Sequence, residues 1–280
     1  MTRADAVRAA ASRLAAAGID DAPDEARRLL EYASAMPRAR LLAAMAEPMP
    51  ADEAARLAAA LDRRANREPL SHILGSVGFW TLDLNVTADV LTPRADTETI
   101  VEVALASVGD RTAPLRVLDI ATGSGAIALA LLSELANARA VATDLSAAAL
   151  DVARGNAALN GLSTRMEFVE TSWADGLTGP FDLVVANPPY IASAVIDTLE
   201  PEVKTFEPRL ALDGGPDGLA PYPHLFAEAR RLLAPGGTCV FEIGYDQGEA
   251  ALALARSAGF EATLRCDLGG NDRAVVFRPA

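Results

Sequence analysis

Asn187-Pro188-Pro189-Tyr190 combines, in four consecutive residues, groups that can hold a flat NH2. Two prolines fix φ and remove two backbone donors, so the segment is stiff and presents carbonyl acceptors. The Asn187 side-chain carbonyl and the Pro188 main-chain carbonyl would take the two protons of one amide or amine nitrogen. Tyr190 would supply a ring to cover a flat substrate. Chemistry that needs a nitrogen lone pair freed and aimed is group transfer to nitrogen. A rigid turn after a buried strand is the plainer alternative.

A second set lies upstream, in Asp119-Ile-Ala121-Thr122-Gly123-Ser124-Gly125. Glycines here let the backbone turn tightly and approach a ligand. Asp144 closes the next apolar run, where an acid can accept from both hydroxyls of a ribose. Together they point to a cofactor that carries adenosine. Gly123-x-Gly125-x-x-Ala128 followed by an acid about twenty residues on also fits a dinucleotide, and a tight turn in any α/β protein is a third reading. The Asn187 segment favours a methyl donor, because a nicotinamide enzyme has no use for paired acceptors beside its cofactor.

The elements that must position these residues alternate. Strands are expected at Leu115–Ile120, Ala138–Asp144, Met166–Val169, Phe181–Ala186, Thr238–Ile243, Glu261–Cys266 and Arg273–Phe277. Helices are expected at Ala126–Leu135, Ala147–Asn156 and Leu225–Leu233. Alternation of this kind implies an α/β fold with a mostly parallel sheet and ligands at the strands' carboxyl ends. Residues 1–72 instead carry helical stripes: Val7, Ala11 and Leu14; Ala26, Leu29, Leu30 and Ala33; Leu41, Leu42 and Met45; and Ala54, Leu57, Ala58 and Leu61. They read as a small helical domain, either a structural cap or a docking surface. Alternating residues within 73–92 read as a β-hairpin linker, and residues 93–280 as the α/β domain.

The bulk numbers narrow the partners. With 280 residues and a formal net charge of -13, the chain repels phosphate backbones, so free nucleic acid is not expected. Arg63, Arg64 and Arg67 read as a solvated helix face. Cys239 and Cys266 read as core residues in a reducing, cytoplasmic setting. No Cys/His spacing suits a metal. No run is long and apolar enough to span a membrane, and the first residues lack the apolar core of a secretory signal.

Several stretches then carry a family resemblance: Arg67-Glu-Pro-Leu-Ser-His-Ile-Leu-Gly75, Val90-Leu-Thr-Pro-Arg94-Ala-Asp-Thr-Glu98, Asn187 to Tyr190, Glu207-Pro-Arg-Leu-Ala-Leu-Asp-Gly-Gly-Pro-Asp-Gly218 and Glu242-Ile-Gly-Tyr-Asp-Gln-Gly248. The chain resembles the HemK/PrmC family, protein-(glutamine-N5) methyltransferases of peptide-chain release factors, nearly end to end. The resemblance implies a class I, Rossmann-like methyltransferase fold with seven strands and S-adenosyl-L-methionine as cofactor. It implies as substrate the glutamine of the Gly-Gly-Gln motif of class I release factors, docked partly by the N-terminal helices. It implies that residues 121 to 125 wrap the methionine end of the cofactor, with Asp119 at the head of that turn, and that Asp144 holds the ribose. It puts Trp173 near the adenine, Asn187 against both cofactor and substrate, and Asn187 to Tyr190 around the amide. Ala121 stands where the family usually has glycine, His72 where tyrosine is common and Ala95 where proline is common. A ribosomal-protein glutamine or an exocyclic amine of DNA or RNA would be the rival targets. A nicotinamide-dependent oxidoreductase and a binding module without activity are more distant readings.

Overall fold

The computed structural model describes residues 1–279, which divide into two compact units. Unit 1 comprises residues 1–75 together with 200–206, and unit 2 the remainder.

Unit 1 is helical: α1 (Arg3–Ala16), α2 (Ala22–Ser34), α3 (Arg38–Ala43), α4 (Ala51–Ala65) and α5 (Leu70–Leu74). Thr2 caps α1, accepting from the Asp5 amide while the Asp5 carboxylate takes the Thr2 amide. Acids in the first turns of α2 and α4 favour the helix dipole. The α2 stripe is buried as its spacing predicts. In α1 the buried face is Ala6, Ala10 and Leu14, with Val7 and Ala11 only partly covered. In α4 it is Leu57, Ala60 and Leu61, while Ala58 is exposed. Two expectations fail here. Ile73 and Leu74 belong to α5 and not to a hairpin, because Pro69 opens a helical turn that Gly75 closes at φ 74°. Arg64 is not solvated. Its side chain is 7% exposed and paired with Glu25 and Glu202. Glu202 comes from the short helix α9 (Pro201–Phe206), far along the chain.

Unit 2 begins with the hairpin of β1 (Ser76–Phe79) and β2 (Leu82–Asn85), followed by α6 (Glu98–Ser107). Then come β3 (Arg116–Ile120), α7 (Ala126–Glu134), β4 (Arg139–Asp144), α8 (Ala147–Leu159), β5 (Met166–Glu170) and β6 (Phe181–Ala186). After α9 the chain adds α10 (Pro221–Leu232), β7 (Leu233–Glu242), α11 (Gly248–Ser257), β8 (Phe260–Cys266) and β9 (Asp272–Pro279). The seven-stranded sheet has the order β5-β4-β3-β6-β7-β9-β8, and only β9 runs against its neighbours. Pro221 starts α10 four residues before the helix predicted from Leu225, since proline is preset for a first turn.

Alternation along the strands separates two cores. Val117, Leu183 and Val240 meet α6 and α7 on one face, and Leu118, Val184 and Phe241 meet α10 and α11 on the other. Residues 126–132 of α7 are all buried, which is why that helix lacks a polar stripe. Cys239 lies in the core, but Cys266 is exposed, because it ends the edge strand β8. Among the described residues no helix is long and apolar enough to cross a membrane.

Candidate active site

A cavity of about 520 Å³ opens at the carboxyl ends of β3, β4 and β6, and Gly123, Asp144, Trp173, Asn187 and Pro189 are in its wall. Parallel strands end here together, so residues remote in sequence converge.

The turn after β3 is held by its own backbone. Ala121, Gly123 and Gly125 have φ of 57°, 55° and 83°. An L residue rarely adopts that conformation, and the alanine at 121 carries about 1–2 kcal/mol of strain. The two glycines answer different needs. A Cβ on Gly123 would meet nothing within 4 Å, whereas one on Gly125 would press on Ala153 and Leu129 at 3.3 Å. Gly123 thus leaves space beside the cavity, and Gly125 lets α7 and α8 approach. Asp119 is buried beneath the turn. Its Oδ2 accepts from the Thr122 hydroxyl at 2.6 Å and the Ala128 amide at 3.3 Å, while Oδ1 receives no donor. Burial raises its carboxyl to about 7, against the pull of Thr122.

Asp144 ends β4 with each carboxylate oxygen accepting one amide at 2.9 Å, Oδ1 from Ser146 and Oδ2 from Gly123. Each oxygen keeps a lone pair, so the two can take a pair of ribose hydroxyls. Trp173 sits at φ 52°, secured by the Thr143 hydroxyl donating to its carbonyl at 2.5 Å. An acid for two hydroxyls, an indole for a flat base, open backbone at Gly123 and a buried acceptor short of a donor fit an adenosine with an amino-acid tail.

Asn187 follows β6. Its Nδ2 donates to Thr97 Oγ1 at 3.3 Å, which leaves Oδ1 as the acceptor for the cavity. Pro188 is buried and Pro189 reaches the wall. Tyr190 does not cover the cavity. Its ring packs against the core, and its hydroxyl donates to Glu242 Oε1 at 3.0 Å. Its carbonyl accepts from Gln247 Nε2 at 2.9 Å. Burial beside Glu242 raises the phenol, so it stays a donor.

The stretch from Glu207 to Gly218 is the scaffold for this segment. Buried Glu207 accepts twice from Arg94 Nη2, at 2.8 and 2.9 Å. Ile191 donates its amide to the Leu212 carbonyl at 3.0 Å and accepts from the Gly214 amide at 2.8 Å, so it bridges both sides of Asp213. A Cβ on Gly214 would stand 2.8 Å from Pro189 O and Tyr190 Cα, and one on Gly218 only 2.3 Å from Tyr190 O. Sequence reasoning gave no role to Thr97, Thr143, Glu207 or Glu242. The available signal was a charge ending an otherwise apolar strand at Glu242.

Residues 5–75 match the family model of the PrmC N-terminal domain, and residues 102–202 that of the methyltransferase small domain. The release factor glutamine methyltransferase of Caulobacter vibrioides is 48% identical over 99% of this chain and 96% of its own length. That of Cereibacter sphaeroides is 45% identical over 99% of each. Among solved structures, a methyltransferase from Pyrococcus furiosus shares the fold, with a TM-score of 0.53 at 17% identity over 77% of this chain and 97% of that one.

Proposed function

The chain belongs to the release factor glutamine methyltransferases, and from that premise we propose that it methylates the side-chain amide nitrogen of the Gly-Gly-Gln glutamine of class I release factors, with Asn187 and Pro188 as the groups that hold the amide. The cofactor of the reaction is S-adenosyl-L-methionine, which supplies an electrophilic methyl on a sulfonium.

The observation that carries the assignment of roles is the direction of Asn187. With Nδ2 engaged by Thr97, Oδ1 is the free end, and it is an acceptor. An amide nitrogen is a poor nucleophile, because its lone pair is spread into the carbonyl with a rotation barrier of about 18–20 kcal/mol. Asn187 Oδ1 accepts one amide proton and the Pro188 carbonyl the other. Both raise electron density on nitrogen and aim its lone pair across the cavity. Positioning of this kind is worth up to roughly 7–11 kcal/mol. The proton leaves after transfer, when the nitrogen is cationic and water suffices as acceptor. Asp144 takes the ribose hydroxyls and Trp173 flanks the base. Residues 121 to 125 wrap the methionine end, with Asp119 buried beneath.

The helical unit, residues 1–75 with 200–206, has the docking role in this reading, and the α/β unit the transfer. The net charge of -13 favours a protein over a nucleic acid as substrate. A cytoplasmic place of action goes with release factors.

The test is mass spectrometry of a release factor after incubation with the protein and S-adenosyl-L-methionine. One methyl on the Gly-Gly-Gln glutamine is expected. The Asn187→Ala variant should lose turnover far more than cofactor affinity. Methylation elsewhere, or equal loss of both quantities, would contradict the assignment.

A further inference from the structure

A buried side-chain amide joins the turn of residues 121 to 125 to the hairpin of β1 and β2. Asn156, near the end of α8, is fully buried. Its Oδ1 accepts from the Asn85 amide at 2.7 Å. Its Nδ2 donates to the Asn85 carbonyl at 3.0 Å and to the Ser124 carbonyl at 2.9 Å. Asn85 is the last residue of β2, and Ser124 is in the wall of the cavity. The hairpin, which reads as a linker in the sequence, is thus tied to the site.

A primary amide offers the donor and acceptor of a peptide group, with one donor more. Asn156 faces one N–H and two carbonyls, so only one orientation of its amide satisfies all three. Deep burial makes each of these bonds costly to lose. They fix the Ser124–Gly125 peptide at both ends: its carbonyl meets Asn156, and its N–H meets the Thr122 carbonyl at 2.9 Å. The Thr122 and Gly123 amides are held by Thr143 O and Asp144 Oδ2, both at 2.9 Å. Of these bonds, only the one to Asn156 reaches beyond the turn and β4. Loss of that amide would free the turn and the end of β2 together.

We propose that Asn156 is a positioning residue that couples the hairpin to the cofactor turn, so that an ordered hairpin and an occupied cofactor site support each other. Such coupling is reciprocal: if the held hairpin tightens cofactor binding, bound cofactor must steady the hairpin by the same factor. The inference rests on the reading of residues 121 to 125 as the wrap around S-adenosyl-L-methionine. Asn160, just past α8, supplies the comparison. Its Nδ2 donates to the carbonyls of Asp83 and Asn156, at 3.0 and 2.9 Å, and so holds the hairpin without touching the turn.

The experiment measures S-adenosyl-L-methionine affinity by calorimetry in the wild type, Asn156→Ala and Asn160→Ala, with a thermal melt for each. Amide hydrogen exchange of residues 82–85 is followed with and without saturating S-adenosyl-L-methionine. Asn156→Ala should bind the cofactor about tenfold more weakly, and Asn160→Ala within about twofold of the wild type. In the wild type and in Asn160→Ala, the cofactor should slow exchange at 82–85 by about tenfold, and in Asn156→Ala that slowing should vanish. A merely structural role would lower the melting temperature without removing the slowing. Wild-type affinity in Asn156→Ala would overturn the proposal, as would an equal loss of affinity in Asn160→Ala. If Asn156→Ala does not fold, the wild-type exchange decides: rates at 82–85 that the cofactor leaves unchanged would overturn the coupling. Each of these failures leaves cofactor binding and glutamine methylation by the wild type intact. A wild type that takes up no S-adenosyl-L-methionine would instead overturn the proposed function and this inference with it.

Discussion

Replacing Gly214 with alanine puts a methyl group where the backbone of the Asn187–Tyr190 segment runs. The new Cβ would lie 2.8 Å from Pro189 O, Tyr190 Cα and Gly218 O. Ordinary contact begins at 3.4 Å, so the backbones must part by 3.4 less 2.8, about 0.6 Å. All three atoms belong to the main chain, and none sits at the end of a flexible side chain. Gly214 has no left-handed φ, so the effect is steric and not torsional. Overpacking of this kind costs about 1–3 kcal/mol. At about 2–4 °C per kcal/mol, the melting temperature should fall by roughly 2–12 °C. A misplacement of about 1 Å in a positioning group can cost about a hundredfold in rate, so a shift of about half that should cost roughly tenfold. Scanning calorimetry and single-turnover methylation of a release factor measure the two effects. Gly236→Ala is the control. Its φ is 79° and its Cβ would meet nothing within 4 Å, so it should lose about 1 kcal/mol of stability with no loss of rate. A Gly214→Ala enzyme that melts early but turns over at the wild-type rate would refute the idea that this loop sets the position of the segment.

Three further outcomes are expected. Ala121→Gly should stabilise the protein by about 0.5–1 kcal/mol in urea unfolding, because relief of left-handed strain outweighs the added freedom of the unfolded chain; a destabilised variant would count against the strain. Asp119 and Glu242 both have carboxyls raised to about 7 by burial. The folded protein holds those protons where the unfolded chain has lost them, so their stabilising contribution is complete below the unfolded values of 3.8 and 4.5 and is lost as pH rises through about 7. Urea midpoints from pH 5 to 8 should fall, and less steeply in Glu242→Gln; an unchanged slope would show that Glu242 is not the titrating group. Arg64→Ala should cost unit 1 about 2–3 kcal/mol, below the usual cost for a fully buried pair because Glu25 and Glu202 keep some exposure and Arg67 still holds Glu202. Hydrogen exchange should quicken in residues 22–34 and 201–206 while β3 and β6 stay protected.

The sheet was legible because strands and helices alternate strongly from residue 115 onward, and a buried parallel strand leaves a nearly unbroken apolar run. The strand ends were legible with it, and these place Asp144 and Asn187. The misses have physical causes. Arg64 carries a charge, and charge reads as solvent until carboxylates from two distant segments cover it. Ile73 and Leu74 form an apolar pair next to the alternating residues of the hairpin, but a proline before and a left-handed glycine after enclose a single helical turn. Cys266 lies in an apolar run whose outer neighbour is missing, and only strand order shows that β8 is an edge.

What the order of residues determined by itself was everything local: the tight turn from Asp119 to Gly125, the stiff Asn-Pro-Pro-Tyr corner, and their shared position just past strand ends. Tertiary structure decided which way the side chains of that corner turn. Tyr190 turns inward to Glu242, 52 residues away, and Asn187 is orientated by Thr97, 90 residues away. Periodicity and turn chemistry act over a few residues, so they can mark where a strand stops. A hydrogen bond between residues so far apart exists only once the sheet has brought their strand ends together, and no pattern along the chain encodes it.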